Sequence, residues 1–301
     1  MKNILIFAII ILGVHLLSGA FEESIEGVYA KGIGGVCMSC LSVSSLCRNP
    51  AIAAQLEHIN FGISSGLIGI GSDEGHILDI TALAGTSLYK KHLGLSGGFK
   101  YKGLSDIAYP GLNNIAYSEI LAELNASVGF FKYFSIGAGG IFQQWNVGGD
   151  RNYLSGKNYN FKVGLYVHKI AKILSIGMVA ENLFGGKVDS GNGFSEEIIK
   201  KINFSISFDT KIIETGLQGE YIINAGFFNT GIGCSLFLFK RILHISMGCL
   251  FKENFMTIIP TAGFGFAIKE LYGIEYAFQY PVSFLDSYGR HYVELNVKFG
   301  K

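Results

Sequence analysis

From about Leu56 to Phe299, apolar side chains recur at every second position, with small, polar or charged ones between them. A period of two marks a strand with one oily face and one wet face. Between Asn203 and Asp209, the apolar Phe204, Ile206 and Phe208 alternate with Asn203, Ser205, Ser207 and Asp209. Phe161, Val163, Leu165 and Val167 stand in the same way against Asn160, Lys162, Tyr166 and His168, and Val293, Leu295, Val297 and Phe299 against Tyr292, Glu294, Asn296 and Lys298. About fourteen such segments are found, at 57–67, 77–89, 92–102, 115–131, 134–145, 158–168, 172–183, 201–210, 214–223, 226–239, 242–252, 255–268, 271–281 and 290–300. Most are as long as the ~9–11 residues a tilted strand needs to cross a bilayer, and longer than the ~5–6 of soluble sheets.

The connections differ by parity. Those after even-numbered segments are short and often basic: Lys90-Lys91, Lys132-Tyr133, Lys169 to Lys172, Lys211 to Ile213, Lys240-Arg241 and Lys269-Glu270. Those after the first, third, fifth, seventh and thirteenth are longer: Ile68 to His76, Gly103 to Asn114, Asn146 to Lys157, Phe184 to Lys200 and Pro281 to Gly289. Asn224-Ala225 and Glu253-Asn254 depart from this rule and are short. Opposite sides of a membrane impose such an asymmetry. Backbone polar groups in lipid must all be paired, and only closure removes the sheet edges. The expected fold is therefore all-β: a transmembrane antiparallel β-barrel of about fourteen strands over residues 56–301, with tyrosines such as Tyr89, Tyr101, Tyr133 and Tyr280 near the interfaces.

Composition agrees. Charged residues are 16% of the chain, below the ~25% of soluble domains, and 41 glycines against 4 prolines suit many twisted strands and tight turns. A net charge of +1 gives no electrostatic footing for a nucleic-acid partner. Residues 1–20 read as a cleaved signal peptide: Lys2, then an apolar run from Ile4 to Leu17 too short to span, then Ser18-Gly19-Ala20 as the cleavage site. The expected location is a bacterial outer membrane, with its lipid as the first partner.

Residues 21–55 break the alternation. Gly32, Gly34 and Gly35 are followed by small residues and then by Asn49-Pro50-Ala51, which leads into a short helix with Pro50 at its first turn. Glycines and small side chains let a segment lie close against a wall, so this stretch is expected inside or under the barrel as a lumenal plug.

The run of Gly-hydrophobic-Gly-Gly, small residues and x-Asn-Pro-Ala resembles the N-terminal signature of the PorV/PorQ family of outer-membrane proteins, within the wider FadL-type superfamily. The C-terminal "YVELNVKFGK" is similar as well. Cys37, Cys40 and Cys47, and Ile52 after the motif, depart from the family pattern. The resemblance implies a fourteen-stranded barrel with its N-terminal segment in the lumen, acting in outer-membrane transport or as an accessory of type IX-like protein secretion that engages secreted proteins or secretion components. The alternative it implies is a FadL-type importer of long-chain fatty acids or another hydrophobic small molecule. A structural surface barrel is the third reading.

Catalytic constellations find little support. Cys37, Cys40 and Cys47 lack the fourth ligand of a closed zinc site. A Cys37–Cys40 or Cys40–Cys47 disulfide fits an oxidising compartment, and three buried small side chains are the simpler reading. The seven histidines show no metal spacing, and Gly32, Gly34 and Gly35 do not open a phosphate-binding unit. Glu119, Glu123 and Glu294 fall on the inward parity, where they would polarise the lumen or balance Lys162 and Lys298. No enzyme activity, metal or cofactor is expected.

Overall fold

The computed structural model describes residues 23–68, 77–88, 92–109, 112–130, 133–148, 153–189, 195–268, 271–282 and 289–300. The signal-peptide reading of 1–20 and the turn residues Lys90-Lys91, Lys132 and Lys269-Glu270 lie outside them. The strands are β1 (Ile59–Ile68), β2 (Ile77–Leu88), β3 (Leu93–Tyr109), β4 (Leu112–Phe130), β5 (Phe134–Gly148), β6 (Tyr153–Ile170), β7 (Leu174–Glu181), β8 (Lys187–Asp189), β9 (Ser195–Glu197), β10 (Lys201–Asp209), β11 (Ile213–Ile222), β12 (Phe227–Leu238), β13 (Leu243–Lys252), β14 (Thr257–Ile268), β15 (Tyr272–Gln279) and β16 (Arg290–Phe299).

Strands β1–β7 and β10–β16 form one closed antiparallel barrel of fourteen strands, each paired with its sequence neighbour. Closure is made by β1 on β16, with Ile59 opposite Phe299 and Ile68 opposite Arg290. Among the described residues every barrel strand has a paired neighbour on both sides, the condition hydrocarbon imposes.

The alternation sorts as the pattern requires. Along β1 burial strictly alternates. Outward positions carry Ile63, Phe204, Ile232, Ile245, Phe264, Ile274 and Leu295, all exposed. In water this belt would be a contiguous apolar surface far above the few hundred Å² that soluble monomers tolerate. In lipid it is solvated, and the fold is that of a membrane-spanning barrel.

Three elements differ from the expected layout. Within the stretch expected as a loop at 103–114, β3 and β4 continue pairing as far as Tyr109 opposite Leu112, through two register shifts. Likewise β5 and β6 stay paired out to Gly148 and Tyr153. A hairpin needs only ladder hydrogen bonds to continue beyond the membrane, so its oily alternation can fade while the strands persist. The seventh connection contains the two-stranded β8–β9 hairpin.

Ahead of β1, residues 24–56 are packed into the barrel, and nearly all of them are buried. They form a short helix α1 (Val28–Gly32) and two 3-10 turns, Val43–Ser45 and Ile52–Gln55. Helix α1 was not legible because five residues give no helical period. The helix expected after Pro50 is the 3-10 turn, opened by Asn49 Oδ1 accepting from the Ala51 N–H at 3.0 Å. Ile25, Leu46, Cys47 and Ile52 pack with Leu83, Leu121, Ile141, Trp145 and Tyr166 of the wall. Each large apolar side chain so buried is worth about 1.5–3 kcal/mol.

Candidate functional site

The two N-terminal motifs are seated on glycine rungs of the wall. Asn49-Pro50-Ala51 lies over Gly137 and Gly164, which face each other across β5 and β6. A Cβ at Gly137 would overlap the Pro50 carbonyl and the Ala51 nitrogen, and one at Gly164 would overlap Asn49 and the Pro50 ring. Asn49 Nδ2 donates to the Met38 carbonyl at 3.3 Å and to the Leu165 carbonyl at 3.1 Å, tying the segment to itself and to β6. Ser135 Oγ donates to the Ala51 carbonyl at 2.8 Å.

At the opposite wall, Ile33-Gly34 presses on Gly233 and Gly248, a rung between β12 and β13. Gly34 has a φ of 69°, and an added Cβ would lie 2.6 Å from the Ile232 carbonyl oxygen and 2.9 Å from the Cys249 nitrogen. Both the backbone turn and the wall contact therefore require glycine there. Thr261 Oγ1 donates to the Gly32 carbonyl at 3.0 Å, and Gln279 Nε2 to the Lys31 carbonyl at 3.2 Å. Between these ends, Ser39 Oγ meets Ser205 Oγ of β10 at 2.8 Å.

Charge fixes the segment further. Lys31 pairs with Asp79 of β2 at 3.0 Å, and its ammonium stands 3.6 Å over the Tyr292 ring. Lys100 of β3 holds Glu23 at 3.0 Å and Asp79 at 3.7 Å. Arg48 pairs with Glu26 at 3.5 Å. Lys162 of β6 pairs with Glu123 of β4 and donates to the Cys47 carbonyl.

The inward carboxylates have separate roles. Glu123 pairs with Lys162. Glu119 accepts from Tyr117 Oη at 2.5 Å, and Glu294 accepts from the Val28 N–H at 2.8 Å, at the start of α1. Lys298 lines a cavity at the short-turn end and is not the partner of Glu294. The cysteines are free thiols: Cys37 Sγ donates to the Ser44 carbonyl and Cys40 Sγ to the Val36 carbonyl, so no disulfide joins them to Cys47. Burial pushes all three thiols above their ordinary range. Cys234 and Cys249 line an apolar depression of about 610 Å³ on the outward face, beside Ile232 and Met247.

The segment separates two cavities. The one at the long-loop end, about 80 Å³, is lined by Glu23, Arg48, Glu220, Lys252, Arg290 and Tyr292. The one at the short-turn end, about 350 Å³, is lined by Tyr29, Leu41, Phe237, Arg241, His244 and Glu275, with His244 Nε2 at 2.9 Å from Glu275. Sequence reasoning did not single out Glu23, Asp79, Lys100, Lys102 or Arg290. The signal for Asp79, Lys100, Lys102 and Arg290 is charge on the inward parity of β2, β3 and β16; Glu23, ahead of β1, carries none.

No protein-family model matches the chain, and no curated protein does. Solved structures do. A CymD monoaromatic hydrocarbon channel is similar with a TM-score of 0.70 at 11% identity, over 92% of this chain and 98% of that one. The fold is FadL-like. A Pseudomonas aeruginosa FadL homologue gives a TM-score of 0.65 at 10% identity over 93% and 97% of the two chains. A TodX monoaromatic hydrocarbon channel mutant gives 0.65 at 9% identity over 92% and 98%. The likeness in fold thus extends over nearly the whole chain.

Proposed function

We propose that this chain is an outer-membrane passage of the FadL type, in which residues 24–56 form a plug that shifts to let a small solute cross. One observation carries the reading: the segment occupies the middle of the lumen and leaves a cavity at each end. A barrel serving only as a scaffold has no use for two vestibules facing a common stopper. The fold likeness to channels supports the same reading. No catalytic step is assigned to any residue.

The test is flux into proteoliposomes, using p-xylene, benzoate and oleate as solutes. Saturable uptake of at least one above protein-free vesicles is the expected result. Equal leakage with and without protein would overturn it.

The PorV/PorQ-like secretion reading is favoured by a different observation. The long-loop cavity is charged, where an importer of greasy solutes would be apolar, and the longer β3–β6 rise as a wall on which partner chains could rest. Under this reading the barrel co-purifies with secretion components, and its deletion impairs protein export.

A further inference from the structure

Three neighbouring hairpin tips at the short-turn end, residues 169–173, 209–213 and 239–243, join six strands that are consecutive around the barrel wall. They hold five cations, Lys169, Lys172, Lys211, Lys240 and Arg241, and one carboxylate, Asp209. Asp209 is divided between Lys169, at 3.6 Å, and Arg241. Lys172, Lys211 and Lys240 are exposed, and their ammonium groups have no ion pair among the described residues. Lys240 and Arg241 also border the short-turn cavity, whose carboxylates are already engaged: Glu214 accepts from Tyr29 Oη at 3.1 Å, and Glu275 holds His244 at 2.9 Å. Glu57 stands across the barrel, ahead of β1.

The opposite ends of these strands are different. The connection 223–226 carries no charge, and 253–256 carries only Glu253. The cations are therefore placed on one side of the membrane. Each basic tip also exposes an apolar side chain, Ile173, Ile212 or Phe239, the last 73% exposed. Phe239, Lys240 and Arg241 are all left-handed, with φ of 49°, 57° and 69°, and Lys172 has a φ of 72°. Such turns ordinarily take asparagine or glycine, yet these keep long cationic side chains.

We propose that this arc binds the headgroup of an anionic phospholipid in the leaflet bordering the short turns. Lys172, Lys211 and Lys240 face the negative headgroup, while Ile173, Ile212 and Phe239 lie against the start of its acyl chains. Interleaved basic and apolar groups suit that boundary, and each cation near an anionic leaflet adds to the attraction. The arc is held in shape from within: the Asp209 N–H donates to the Ile173 carbonyl at 2.8 Å, and Arg241 donates to the Thr210 carbonyl at 2.6 Å. Asp209 thus links all three tips and leaves the outer lysines for the lipid. The inference needs a barrel that spans a membrane, and is independent of any solute passing through it.

The experiment is native mass spectrometry of the purified, detergent-solubilised full chain titrated with dioleoyl-phosphatidylglycerol. Dioleoyl-phosphatidylethanolamine, inorganic phosphate and poly-glutamate serve as comparisons. Phosphatidylglycerol is expected to bind about tenfold or more tighter than phosphatidylethanolamine. Lys172→Gln/Lys211→Gln/Lys240→Gln should abolish that preference, and Lys172→Arg/Lys211→Arg/Lys240→Arg should keep it. None of these lysines holds Asp209, so both variants leave the links between tips in place. Equal binding of the two lipids, a preference that survives the glutamine variant, or its loss in the arginine variant would each overturn the proposal. Displacement of the lipid by an equal concentration of inorganic phosphate would make the site one for a free anion, and displacement by poly-glutamate one for an acidic protein; either result would overturn it too.

Discussion

Lys162 on β6 reaches over β5 to Glu123 on β4, and the same ammonium donates to the Cys47 carbonyl of the N-terminal segment. Both side chains are fully buried. One cation thus joins two wall strands and the chain inside them.

Breaking that pair from one side should be costly. Lys162→Met leaves the Glu123 carboxylate without a counter-charge, for an expected loss of about 3–5 kcal/mol. The double change Lys162→Met/Glu123→Leu should recover most of it, because no buried charge remains. Guanidinium unfolding followed by the fluorescence of Trp145, the chain's single tryptophan, reports both.

The glycine rungs predict a separable effect. Gly137→Leu or Gly233→Leu places a side chain where Pro50 or Ile33 backbone lies, with an overpacking penalty of about 1–3 kcal/mol or release of the segment. The barrel should still close, since both positions keep their ladder bonds. In a background lacking Cys234 and Cys249, a charged thiol reagent should leave Cys37, Cys40 and Cys47 unlabelled in the parent chain and reach them in these variants. Equal labelling would mean that the segment is not held by the rungs.

The pH dependence of the seat follows from Glu23. Its carboxyl is held below the usual range in the packed state and returns to about 4.3 when released. A group with a depressed packed-state value stabilises fully above the released value and loses that contribution as pH falls through the packed one. Protection of residues 24–56 from protease should therefore persist at pH 5 and weaken only well below pH 4. Glu23→Gln should remove the Glu23 contribution to this acid transition, while the Lys31–Asp79 pair keeps its own.

Much of this architecture can be read along the chain. Phe204, Ile206 and Phe208 against Ser205 and Ser207 state a wet face and a lipid face without any partner in view, and each of the fourteen barrel strands is legible on such local grounds. Gly32, Gly34, Gly35 and Asn49-Pro50-Ala51 mark a segment built for close approach. What they approach is another matter. Gly137 pairs with Gly164, and Gly233 with Gly248, only once register is set, and register depends on turns far from both motifs. The pairing of Lys31 with Asp79, or of Glu23 with Arg290, needs the barrel to close, because the partners meet across the lumen and not along a strand. The paired continuation of β3 to Tyr109 was hidden for the converse reason: beyond the bilayer no lipid enforces alternation.

The most direct test is a reversible tie between segment and wall. Ser39 and Ser205 hydroxyls stand 2.8 Å apart, so Ser39→Cys/Ser205→Cys, in a chain stripped of its native cysteines, should form a disulfide on mild oxidation. Solute flux should stop when the bond forms and return when it is reduced. Flux that continues unchanged through the oxidised protein, or thiols that stay apart and freely reactive, would contradict a passage governed by a segment seated inside the barrel.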